Sequence, residues 1–183
     1  MGWGNGGSTM STLKVDTIQG KTTSGTVAMP AGMVIQTVTG ASTSEMTFNN
    51  SSFVATPTNL SITPKFSTSK ILIMFSAPLY ANPEAQHAIA TVFRETGTAS
   101  SQAVISGTNL NSSSAWGFGS VHGDTSNGTM VNMGGNISGM VEDDPSTTST
   151  LRYTIAVRNN VSGANYYSVN LMKATLVAQE IAQ

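Results

Sequence analysis

Apolar residues in this chain recur with a period of two, and no window of a dozen residues holds an i, i+3, i+4, i+7 apolar stripe free of Gly, Pro and β-branched residues. A helix needs such a stripe to bury one side, whereas a strand sends successive side chains to opposite faces. The chain therefore reads as nearly all β. Met33 to Thr39 alternates, Lys70 to Phe75 is a continuous apolar run of buried-strand length, and Ala88 to Glu95 sets Ile89, Thr91 and Phe93 against Ala90, Val92 and Arg94.

Shorter strands are expected at Gln102–Ser106, Ala115–Val121, Thr129–Met133 and Ile137–Val141, separated by turn signals such as Asn127-Gly128 and Gly134-Gly135-Asn136. Leu151, Tyr153, Ile155 and Val157 then alternate with Arg152, Thr154 and Arg158. A turn at Asn160–Gly163 follows, and Tyr166–Ile181 is either two strands broken near Lys173 or one long bent strand. Turn signals at this spacing, with about eight strands between Met33 and Ile181, fit an antiparallel β-sandwich of jelly-roll type. Residues 1–32 differ. Gly, Ser and Thr dominate there, Leu13, Val15, Ile18, Val27 and Met29 are scattered, and Pro30-Ala31-Gly32 marks a boundary. The expected organisation is an extended N-terminal arm over 1–32 and a β-sandwich domain over 33–183.

Composition narrows the function. Charged residues make up 9% of the chain against 39% hydrophobic, and Ser and Thr supply about a quarter of it, so hydroxyls take the surface places that Lys and Glu usually fill. A formal net charge of -1 is the wrong balance for a nucleic-acid binder, which needs surplus Lys and Arg to displace counterions. The absence of Cys removes disulfides, thiolate metal sites and cysteine nucleophiles. No apolar run has the length of a membrane helix, and Met1–Gly7 lacks the regions of a signal peptide, so neither membrane insertion nor export by the general pathway is expected.

Catalytic chemistry finds little support. The two histidines, His87 and His122, lack carboxylates at useful spacing and read as ordinary strand or loop residues. Glu142-Asp143-Asp144-Pro145 could hold a hard cation, but a solvated turn explains it better. Gly123–Gly128 lacks the alternating carboxylates of a calcium loop, Gly117-Phe118-Gly119 does not extend to a phosphate-binding loop, and there is no GxSxG elbow. No catalytic residue, metal ligand or cofactor is expected. Trp116, Phe118, Tyr166 and Tyr167, beside Gly, Ser and Asn, have the composition of a sugar- or protein-binding surface, although Phe118 and Tyr166 suit a core equally well.

One stretch carries more. Met10-Ser11-Thr12-Leu13-Lys14-Val15-Asp16-Thr17-Ile18-Gln19-Gly20, followed by Pro30-Ala31-Gly32-Met33-Val34-Ile35-Gln36, resembles the start of a family of virion proteins of marine and cyanobacterial tailed phages, described as tail fibre or structural proteins. Ile62-Thr63-Pro64, Ser69–Ile73, Phe93-Arg94 with Gly97-Thr98, Asp144-Pro145 through Tyr153, and Leu176–Ile181 are also similar, so the resemblance spans residues 10–183 and is loosest between Ser100 and Val141. It implies a non-enzymatic virion component, made in the host cytoplasm, that forms a homotrimer with its β-sandwich on an N-terminal attachment arm. Trp3, Leu13, Val15 and Ile18 would anchor that arm to other virion proteins, residues 1–9 being an extension beyond the family pattern. Exposed loops bearing Asn111, Trp116, His122, Asp124 and Asn127 would face a host cell-surface glycan or protein. A capsid decoration protein that clamps shell subunits is the alternative.

Overall fold

The structure is a computed structural model that describes residues 30–81, 87–111, 115–122, 124–126, 129–131, 133–160, 169–171 and 173–183. Among them every regular element is a strand: β1 Val34–Ser42, β2 Met46–Phe48, β3 Val54–Ile62, β4 Lys70–Ala81, β5 His87–Glu95, β6 Gly107–Asn109, β7 Gly119–His122, β8 Asp124–Ser126, β9 Thr129–Val131, β10 Met133–Asp143, β11 Leu151–Asn159, β12 Val169–Leu171 and β13 Ala174–Ile181. All pairings are antiparallel.

The protein is an antiparallel β-sandwich. In the first sheet the long strand β4 lies between β10 on one edge and, on the other, β13 followed by β12, with β1 outside β13 and β2 outside β12. In the second, β11 lies between β3 and β5, and β5 carries β6 and β7 along its far edge. β8 and β9 form a separate two-stranded ribbon. Alternation builds the core directly. Ile71, Ile73, Phe75, Ala77 and Leu79 of β4 point inward with Leu176 and Ala178 of β13 and Tyr153, Ile155 and Val157 of β11, in one buried cluster. Burying each large side chain is worth about 1.5–3 kcal/mol.

Both long seams between the sheets rely on missing side chains. On one side β1 comes so close to β3 that a β-carbon at Gly40 would stand 2.2 Å from the Asn59 carbonyl oxygen. On the other, Phe118 packs edge-on against Phe75, ring centroids 5.1 Å apart, in space left by Gly139 of β10. Polar clamps tie one end. Arg94 of β5 donates through Nη1 to both Asp143 oxygens of β10, each at 2.8 Å, and the Tyr153 hydroxyl of β11 donates to Asp143 at 2.6 Å. Burial, then that carboxylate, pushes the Tyr153 pKa well above its ordinary value.

Several expected strands shift. Gln102–Ser106 is not a strand: it is a turn with a single bridge, Val104 to Val54, and Gln102 at φ 69°. This segment straps the outer face of the second sheet, where Phe93, Ala55, Ala156 and Ile105 form a second small core, which is why both faces of β5 are buried. Residues 115–118 are a turn, so the expected Ala115–Val121 strand begins only at Gly119. Gly134-Gly135-Asn136, expected as a turn, lies inside β10, where a β-carbon on Gly135 would meet Val121 at 2.8 Å. The expected Thr129–Met133 strand is divided between β9 and β10. β2, β3, β6 and β8 lie outside the expected strands. Tyr166–Ile181 contains β12 and β13, both on β4, with Lys173 in the bend between them. Residues 161–163 of the expected turn, and residues 1–29 of the expected arm, lie outside the described residues.

Candidate functional site

At the end of the second sheet where β5 begins and β7 ends, the register places His87 directly opposite His122. The His87 amide donates to Asn160 Oδ1 at 2.9 Å and its carbonyl accepts from the Asn160 amide at 3.2 Å, so its backbone faces away from β7. The histidines therefore occupy a pair without mutual backbone hydrogen bonds, the kind in which cross-strand side chains come closest. Their rings stack, with centroids 4.3 Å apart and planes at 21°. His87 also meets Trp116 edge-on at 4.8 Å and 81°, and its Nδ1 lies 3.2 Å from Ser120 Oγ.

Trp116 is 49% exposed, a large apolar surface for a residue on a tight turn. The turn is fixed from several directions. Arg158 of β11 donates through Nε to the Ala115 carbonyl at 2.8 Å and through Nη1 to that of Ser51 at 3.0 Å, and its guanidinium lies 5.3 Å above the Phe53 ring centre. Asn111 donates to the Gly117 carbonyl, and the Phe118 amide donates to Ala90 at 2.9 Å. Gly117 has φ 54°, and a β-carbon there would stand 2.3 Å from the Ala90 carbonyl oxygen, so only glycine lets the turn lie this close to β5. The result is an indole on a pinned turn, set against two imidazoles at the ends of β5 and β7. Burial, then the neighbouring His122, lowers the His87 pKa, and burial lowers that of Arg158.

Of the residues expected to face a receptor, Trp116 and His122 thus come together. Asn111 is half-buried and holds the Trp116 turn from behind. Asp124 opens β8 opposite Val131, while Asn127, like the arm residues Trp3, Leu13, Val15 and Ile18 and the aromatics Tyr166 and Tyr167, lies outside the described residues. Phe118 belongs to the seam against Phe75. From sequence His87 reads as an ordinary strand or loop residue and neither Ser120 nor Arg158 stands out, because the β5–β7 register is needed to set His87 and Ser120 beside Trp116, and Arg158 reaches that turn from β11.

The acidic run does not converge on a common point. Glu142 pairs with Lys70 at 2.5 Å, Asp143 is taken by Arg94 and Tyr153, and Asp144 accepts from Ser146 at 3.1 Å. Among the described residues no group of three or more His, Asp or Glu side chains could hold a metal ion, and no helix is long and apolar enough to cross a membrane.

No protein-family model matches the sequence, and no curated protein matches it. Among solved structures, one described as "Structure of infectious bursal disease virus Gx strain" is similar at 10% sequence identity and TM-score 0.38, over 82% of this chain and 39% of that one. The chain spans well under half the length of that structure's chain.

Proposed function

We propose that this chain is a non-enzymatic structural protein of a virus particle, a homotrimeric tail or head fibre component. Its N-terminal segment attaches it to other virion proteins, and its sandwich presents the Trp116 end to a host-surface glycan or protein. The observation that carries the binding role is the meeting of Trp116, on a turn pinned by Arg158 and Asn111, with His87 of β5 and His122 of β7. Loops on a rigid sandwich suit recognition, and a half-exposed indole offers a flat apolar face on which a sugar ring can stack. Attachment to a virion rests on the resemblance carried by Met10–Gly20 and Pro30–Gln36.

The test is binding of the full chain to host cells and to immobilised host glycans. Trp116→Ala should weaken binding at least about tenfold, about 1.4 kcal/mol, while changing stability by less than about 1 kcal/mol because the side chain is half in solvent. Unchanged binding by a folded variant would remove Trp116 from the role. The decoration reading draws on a different observation, the nearly uncharged outer face of the first sheet. Hundreds of copies per particle would favour it over a fibre.

A further inference from the structure

The outer face of the first sheet is built in rows across four strands. Thr39 of β1, Val177 of β13, Met74 of β4 and Met140 of β10 are register partners, so three apolar side chains stand abreast at its centre. Leu72 and Ile181 extend the patch toward the end where β4 begins. Met140 is 65% exposed, and Leu72, Met74, Val177 and Ile181 are each partly so. An antiparallel sheet with a wet outer face ordinarily carries polar side chains at these positions. Over these four strands the charged outward residues are Lys70 and Glu142, which pair with each other at 2.5 Å at one end, while Lys173 stands in the bend beyond the other.

We propose that this face is the surface through which copies of the chain associate. Three properties select a second copy as its occupant. Identical faces carry identical charge, so a charged face repels its own copy, whereas the single Lys70–Glu142 pair sums to zero. Four strands about 4.8 Å apart and about 30 Å long present roughly 600 Å², near the roughly 800 Å² that each partner buries in a standard stable interface. Methionine is also enriched, and Lys and Glu depleted, at interface centres. The inference rests on the homo-oligomer in the proposed function and names the face that makes it.

The experiment measures the mass of the full chain by light scattering, in parallel with three variants. Met140→Lys and, one exposed position along the same strand face, Ser138→Lys put a like charge on every copy of the face. Val104→Lys places the same charge on the strap of the second sheet, at a site with the same 65% exposure. The expected result is a multimer for the unsubstituted chain and for Val104→Lys, and one-chain mass for Met140→Lys and Ser138→Lys, each with an intact β circular-dichroism spectrum. Multimers that survive both substitutions on β10 would overturn this face while leaving the homo-oligomer standing. A multimer that instead dissolves on removal of residues 1–29 would assign the interface to the N-terminal segment. An unsubstituted chain that stays monomeric at high concentration would overturn both readings.

Discussion

His87 and His122 are the chain's two histidines, and the fold puts them in ring contact beside the half-exposed indole of Trp116. A base whose folded pKa is lowered binds fewer protons folded than unfolded in the interval between the two values, so stability rises with pH there. For His87 the contribution is complete above the ordinary value of 6.5 and is lost as pH falls through the lowered folded value. Melting temperature should therefore drop on acidification through this window, and His87→Asn should remove that part of the drop. A melting profile identical for the two proteins would mean that His87 is not held neutral. Glu180 titrates separately. Burial works against its charge, but donation from Gln36 at 2.5 Å and from the Lys65 and Phe66 amides wins. The Ser69 hydroxyl, outside strict hydrogen-bond geometry, also lies near enough to favour the carboxylate. The resulting pKa is below the ordinary 4.5, so its contribution is present above that value and fades only in stronger acid.

At the scale of elements, the Arg94–Asp143–Tyr153 clamp joins β5, β10 and β11 across the sandwich, and its value depends on being complete. Arg94→Met would strand a carboxylate that is 8% exposed, with the Tyr153 hydroxyl as its remaining donor. The expected loss is about 3 kcal/mol in denaturant unfolding. Replacing Arg94 and Asp143 together with apolar residues should cost clearly less than Arg94→Met alone, and equal losses would show that the clamp acts through packing. β1, β5 and β11 were legible from their alternation, and β4 from its continuous apolar run. β3 was not, because Thr56-Pro57-Thr58 interrupts its period and marks an irregularity in its pairing with β11. β10 was cut in two because Gly134-Gly135-Asn136 has the chemistry of a turn, although its role is to let Val121 come close. The candidate site was half legible for a related reason: composition flags an indole among Ser and Gly, but the partners arrive through strand register.

Over the whole molecule, the charged groups among the described residues stand at the ends of strands and in the segments between them. Lys70, Arg94, Glu95, Asp124, Glu142, Asp143, Arg152, Arg158 and Glu180 each sit in the first or last two residues of a strand, and Glu45, Lys65, Asp144 and Lys173 lie between strands. Many gather near the end at which Pro30 enters, where Arg152 meets Glu95 at 3.2 Å and the Gly32 amide donates to Ala182. The flanks are left to hydroxyl, amide and apolar groups. Dissolved ions weaken attraction between charges within roughly 10 Å at 0.1 M but leave apolar contact intact or strengthen it. Particles joined flank to flank would thus keep their mass from dilute buffer to about 1 M NaCl, and sedimentation across that range would detect any loosening. Flanks that carry a single self-neutralising ion pair among their described residues have no ionic strength to which their association must be tuned.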